Sequence, residues 1–163
     1  MSGPSIKTIA NILRLRPVLG TKKGGKLTAR GIIYGKARMA EKFALYLNKK
    51  NKTKFKSNNI IIGPGTKELM FLLHIMFDGD ILLPIPSWVS YAPQAIIGRN
   101  KTHWIKTTSS NNWFPTAEQI ENLVKSDKEK NYLLFVNSPN NPSGTVCNNL
   151  SDIAEIAKKY NIL

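Results

Sequence analysis

The chain holds a single cysteine, Cys147, among 163 residues. One cysteine excludes an internal disulfide and any metal site built from several thiolates. Only two histidines occur, His74 and His103, and their spacing does not suit a shared metal ion. Long apolar runs are missing as well. Leu69–Phe77 is interrupted by His74, and Ile60–Ile62 is only a strand's worth. Neither approaches the roughly 18 apolar residues of a membrane span. The first residues carry Lys7, Arg14 and Arg16, which leaves no clean apolar stretch for a secretory signal. These absences point to a soluble chain of a reducing compartment, the cytoplasm, with no membrane partner. Acidic residues are scarce: 10, against 24 Lys and Arg.

What is present is ordinary for a globular domain, with 42% hydrophobic and 21% charged residues. The net charge of +14 is unevenly spread. Residues 1–56 hold 15 basic residues and one acidic residue, Glu41; residues 57–163 hold nine of each. Such asymmetry can mark a polyanion-binding surface, or simply a solvated lysine-rich face. The basic third has few aromatics, namely Tyr34, Phe43, Tyr46 and Phe55, and no recognised reading motif. A nucleic-acid partner is therefore not expected.

Residues 1–35 read as a poorly defined basic segment, with a possible helix over Ile6–Leu15 and a loop over Leu19–Lys26. Gly20, Gly25 and Lys26 fit the spacing of a nucleotide P-loop, but Leu27 replaces the magnesium-binding hydroxyl and no strand precedes it. Lys36–Asn48 has helical spacing through Met39, Phe43, Tyr46 and Leu47, and Lys49–Lys56 is a basic connector. Strands are predicted at Ile60–Ile62, Ile81–Leu83 (stopped by Pro84 and Pro86), Thr102–Thr107 and Tyr132–Val136. Helices are predicted at Thr66–Phe77, Val89–Ile97, Thr116–Lys125 (opened by a capping box) and Ser151–Tyr160. A further strand should begin near Leu163. Short apolar strands alternating with helices imply an α/β fold, a mainly parallel sheet with helices on both faces. Ligands of such sheets bind at the carboxyl ends of the strands.

Three loops fall at such ends. Gly63-Pro-Gly65-Thr66-Lys67 lets backbone approach an anion at a helix N-terminus, although a tight turn without a ligand explains the same glycines. Pro84-Ile-Pro86-Ser87-Trp88 stiffens a loop and can offer an indole face to a flat ring, or merely a core aromatic. In Asn137-Ser-Pro-Asn140-Asn141-Pro142-Ser-Gly144, Asn141 is held extended by the following proline and can aim its amide at a ligand. His74 and His103 read as structural, and Asp78 and Asp80 as solvated turn carboxylates. Ser87 and Ser90 lack the context of a hydrolase nucleophile, and Cys147 has no evident base.

In this order, GPGTKEL, PIPSWVSY and NSPNNPSG resemble the large domain of class I/II aminotransferases, fold-type-I enzymes that use pyridoxal 5′-phosphate. GIIYGKARMAEKF resembles the family's helix before the first strand. The resemblance implies that residues 36–163 are part of the cofactor-binding large domain. It implies that Gly65, Thr66 and Lys67 hold the cofactor phosphate, that Trp88 stacks on the pyridine ring, and that Asn141 bonds the ring's phenolic oxygen near the substrate carboxylate. The implied activity is transfer of an amino group between an amino acid and a 2-oxo acid, by a homodimer. Two departures stand out: Lys26 lies near the place of a family tyrosine, and Gly35-Lys36 replaces the family's Leu-Arg. No segment matches the one carrying the Schiff-base lysine, so no catalytic residue is assigned and these 163 residues alone are expected not to transaminate. Another fold-type-I reaction, decarboxylase or lyase, and a non-catalytic basic binding protein on the same scaffold are the competing readings.

Overall fold

The computed structural model describes the backbone of residues 29–163 and the side chains from Ala37 onward. The sequence-predicted helix Ile6–Leu15 and the Leu19–Lys26 loop lie outside these residues. The chain divides into two compact units, one ending at Gly65 and the other running from Thr66 to Leu163.

The first unit contains helix α1 (Ala29–Asn51), longer than its apolar spacing suggested. Ala40 and Ala44, one helical step of four apart, form its buried line, whereas Met39, Phe43 and Tyr46 are half-exposed. A 3-10 turn follows at Ser57–Asn59. The predicted strand Ile60–Ile62 is not a strand. Ile60 has extended dihedrals (φ −113°, ψ 126°), but no described strand lies beside it to complete a ladder.

The second unit alternates helix and strand: α2 (Thr66–Met76), β1 (Asp80–Ile85), α3 (Tyr91–Ile97), β2 (Thr102–Lys106), α4 (Ala117–Val124), β3 (Tyr132–Leu134) and α5 (Leu150–Lys159). The three strands are all parallel, in the order β2-β1-β3. Successive side chains of β1 point to opposite faces. Leu82 joins Ile105, Ile120, Val124, Tyr132 and Ile153 on the face covered by α4 and α5. Ile81 and Leu83 join Tyr91, Ala95 and Leu133, with Met70, Leu73 and Phe77, on the face covered by α2 and α3. The sheet is thus covered on both sides, as expected. Leu163 lies along the outer edge of β3, donating to the Tyr132 carbonyl (2.9 Å) and accepting from the Leu134 N–H (2.8 Å). This is parallel pairing at the place where the sequence expected a further strand.

Pro84 does not stop β1; it lies buried inside it. The ladder explains how. The Ile81 N–H points to β2, bonding the Lys101 carbonyl, and the Asp80 N–H points toward β3, bonding Asn131. Position 84 therefore faces β3, which has ended at Leu134, so no donor is missed where Pro84 has none. The capping box is as predicted: the Gln119 N–H donates to Thr116 Oγ1 (3.2 Å) and the Thr116 N–H to Gln119 Oε1 (3.0 Å). Gly98 closes α3 in a right-handed conformation (φ −69°), so it is not a left-handed cap. Its role is close approach, because a Cβ there would lie 2.8 Å from the His74 carbonyl oxygen of α2.

Asp80 is not a solvated turn carboxylate. It is only 6% exposed, at the amino end of β1. His103 Nε2 lies 2.6 Å from its Oδ2 and Lys130 Nζ lies 3.1 Å away, so one carboxylate ties the starts of all three strands. Burial pushes its pKa up, but hydrogen bonds from His103 and Lys130 and their charge outweigh burial and hold it below the ordinary value. A depressed carboxylate pKa stabilises the fold above the unfolded pKa and loses that contribution as pH falls through the folded one. Asp80→Asn is accordingly expected to cost about 2 kcal/mol at pH 7. The gap in thermal midpoint between variant and parent should close as pH drops below about 4. Melts at pH 7, 5, 4 and 3 read this directly, and a gap of constant size at every pH would contradict it.

Candidate functional site

The site is built at the carboxyl ends of β1 and β3. Beyond β1, the chain passes through Pro86 and Ser87 to Trp88, which is half-buried. Trp88 sits edge-to-face on Tyr91 of α3, with ring centroids 5.4 Å apart and planes at 84°. Tyr91 in turn stacks on Phe135, just past β3 (4.7 Å), and Phe135 on His74 of α2 (4.9 Å, 7°). Four rings thus run in series from the buried core to the rim, and Trp88 is the outermost. Such offset and edge-on contacts hold an indole in one orientation better than aliphatic packing does.

His74 is the inner anchor. It is fully buried, and its Nδ1 donates to the Met70 carbonyl at 2.8 Å. Burial pushes its pKa down, more than the Met70 bond raises it, which favours the neutral ring. Its Nε2 has no hydrogen-bond partner among the described residues. The sequence reading of His74 as structural agrees with this placement.

α2 supplies the basic rim. Thr66 and Lys67 occupy its exposed first turn, where free backbone N–H groups and the helix dipole favour an anion. Gln94 Nε2 of α3 donates to the Lys67 carbonyl (3.1 Å) and fixes this turn against the neighbouring helix. The Lys67 ammonium lies 5.5 Å from the centre of the Trp88 ring. Gly65 closes the first unit, directly before Thr66, and an added Cβ there would meet nothing within 4 Å.

The loop after β3 joins the same rim through Asn140, not Asn141. Asn140 is buried; its Nδ2 donates to Ser143 Oγ (2.8 Å) and, at 3.4 Å, to the Pro86 carbonyl of the Trp88 loop. Its backbone closes a turn with Thr145 and Gly144, the latter at φ +72°, a conformation glycine adopts without strain. Asn141 is left exposed, with no side-chain hydrogen bond among the described residues. Of the residues singled out in the sequence, Lys67 and Trp88 are therefore brought together directly. Asn141 follows Asn140 in the same loop, with no described contact to Lys67 or Trp88, and Thr66 precedes Lys67 in the first turn of α2. Tyr91, Phe135 and Asn140 were missed as site residues. The three-residue step from Trp88 to Tyr91 at the start of a helix was the one available signal.

The sequence matches the family model of aminotransferase class I and II over residues 5–163. The chain belongs to the aminotransferase class I and II family. It is 41% identical to an aspartate aminotransferase of Bacillus sp. (strain YM-2) over 118 residues, 69% of this chain and 29% of that protein. With an aspartate aminotransferase of Thermotoga maritima it shares 29% identity, over 76% of this chain and 33% of that protein. Among solved structures, the aspartate aminotransferase from Thermus thermophilus with maleate matches with a TM-score of 0.68 at 20% identity, covering 99% of this chain and 41% of that one. The Thermotoga maritima aspartate aminotransferase structure matches at 0.67 and 25%, again over 99% of this chain, and 42% of that one. The parallel sheet with helices on both faces is thus part of an aminotransferase fold, and the chain spans about a third of its curated relatives. No helix among the described residues is long and apolar enough to cross a membrane.

Proposed function

We propose that the whole protein is a pyridoxal 5′-phosphate-dependent aminotransferase moving an amino group between an amino acid and a 2-oxo acid. Residues 36–163 are then part of its cofactor-binding domain, and the working protein is a cytoplasmic homodimer. The observation that carries this reading is the grouping of Lys67, Trp88 and the Asn140–Asn141 turn on one rim, at the carboxyl ends of β1 and β3. A cation and an aromatic face 5.5 Å apart suit a ligand that is both phosphorylated and flat.

In this reading Gly65, Thr66 and Lys67 hold the phosphate: backbone N–H groups and the Thr66 hydroxyl donate to it, and the ammonium supplies charge. Trp88 stacks on the ring, braced from beneath by Tyr91. The exposed Asn141 amide would donate to the ring's phenolic oxygen, near the substrate carboxylate. The bound cofactor supplies an electron-accepting ring beside the amino-bearing carbon of the substrate. Lys67 stands at the phosphate end, so its amine is spent on holding charge and not on moving a proton at that carbon.

Titration of the 163-residue chain with pyridoxal 5′-phosphate tests the reading. Saturable binding is expected, with cofactor absorbance changing and tryptophan emission falling together, while an amino-transfer assay on the same sample stays at background. Absence of saturable binding would overturn the assignment of the rim. Transamination by this chain alone would overturn the claim that a lysine outside these residues is needed.

A further inference from the structure

The first unit carries a charged surface that the rim on the second unit does not use. Between residues 37 and 59 there are seven basic residues and one acidic residue. From sequence, Lys49–Lys56 reads as a plain basic connector. In the structure it is a built loop. Asn48, near the end of α1, accepts from the Phe55 N–H (2.7 Å) and from Thr53 Oγ1 (2.9 Å), and donates to the Phe55 carbonyl (2.8 Å). One amide thereby folds the loop back on the helix, and Lys49, Lys50, Lys52, Lys54, Phe55 and Lys56 are all exposed. Arg38 and Lys42 extend the charge along α1.

The aromatics of this region are exposed as well. In sequence, Phe43 and Tyr46 fall at helical spacing, and the basic third has few aromatics. In the structure Phe43 is 51% exposed, Tyr46 57% and Phe55 43%. Phe43 and Tyr46 sit edge-to-face at 6.2 Å, and Lys50 Nζ lies 5.9 Å from the Tyr46 ring centre. Exposed rings interleaved with lysines, on a preorganised loop, are the elements of a stacking platform with an electrostatic track.

We propose that α1 and its Asn48-pinned loop bind single-stranded nucleic acid, the lysines pairing with phosphates and Phe43, Tyr46 and Phe55 stacking on unpaired bases. A polyanion complements the charge, and flat bases complement the rings. An anionic membrane surface fits less well. Insertion needs a continuous apolar face, and Lys50 shares the stripe of Met39, Phe43 and Tyr46 four residues beyond the tyrosine.

The test is fluorescence anisotropy of a labelled mixed-sequence 20-nucleotide single-stranded DNA with the full chain, from 50 to 300 mM salt. Three variants accompany the parent: Lys49, Lys50, Lys54 and Lys56 all to Gln; Tyr46→Ala with Phe55→Ala; and a control with Lys101, Lys125, Lys128 and Lys158 to Gln, the same charge removed from the second unit. Far-UV circular dichroism checks that each folds. The loop variant is expected to bind at least about tenfold more weakly at 50 mM salt, with the slope of log affinity against log salt reduced by about 3, roughly 0.7 per lysine. The ring variant is expected to lose about tenfold with the slope unchanged. The control should bind as the parent does. Equal loss in the control would assign binding to net charge and overturn the proposal. A ring variant as tight as the parent would also overturn it, as would no binding at 50 mM salt, or capture by vesicles containing phosphatidylserine with no binding to DNA.

Discussion

Truncation of Leu82 to alanine is expected to lower the unfolding free energy by about 3–4 kcal/mol. Leu82 is completely inaccessible, in the middle strand of three, with His103 and Leu134 as its in-register neighbours. Its side chain is the β1 member of the cluster with Ile105, Ile120, Val124, Tyr132 and Ile153, to which both α4 and α5 contribute. The sheet that would have to close around the lost volume is pinned at its amino end by Asp80, and it collapses poorly. A domain is stable by only about 5–15 kcal/mol, so this single change removes a large share. Urea unfolding of the full chain followed by circular dichroism measures it, with Leu72→Ala on the exposed side of α2 as comparison, expected within about 1 kcal/mol of the parent. A loss under about 1 kcal/mol for Leu82→Ala would show that the sheet is not the stabilising centre.

Why some of this was legible in the sequence, and some was not, follows from the range of the forces involved. The capping box at Thr116–Gln119 is a contact between residues three apart, so the string of letters contains it whole. The strands expected near residues 81, 102 and 132 and the amphipathic α5 are similarly local patterns, and they appear where expected, within two residues. Pro84 was misjudged because a missing N–H matters only if a neighbour strand asks for it, and β3 ends before it can. Ile60–Ile62 was misjudged for the opposite reason: three isoleucines prefer extended backbone, but a strand exists only with a partner. Asp80 looked like a turn residue because both groups that bury it, His103 and Lys130, are remote in sequence. At the candidate site the rim residues were visible as loop motifs, whereas the ring series that orients Trp88 draws on α2, α3 and the end of β3 together. Asn140 and Asn141 are adjacent and chemically identical; only the fold separates the one that ties two loops from the one left free.

Trp88→Ala is expected to weaken binding of pyridoxal 5′-phosphate to the chain by about tenfold or more, the largest effect of any single rim substitution. A stacked ring contributes about 0.5–1.5 kcal/mol beyond the area it buries, and the buried area adds to that. A loss of about 1.4 kcal/mol is already tenfold. The edge-to-face contact with Tyr91 fixes the indole before a ligand arrives, so little ordering cost opposes stacking. Trp88→Phe keeps a ring on Tyr91 and should stay within about threefold of the parent. Lys67→Gln tests the other half of the rim and gives a different signature, because removing one screened charge from an exposed helix terminus lowers affinity less, and chiefly at low salt. Cofactor absorbance reports binding without relying on the tryptophan that has been removed, and the ligand-induced rise in thermal midpoint gives a second reading. Two results would separate the possibilities. If Trp88→Ala binds as tightly as the parent while Lys67→Gln does not, the rim holds a phosphate without stacking its ring. If Trp88→Ala unfolds at the same urea concentration as the parent yet binds ten times more weakly, and Trp88→Phe recovers the loss, the indole serves the ligand and not the fold.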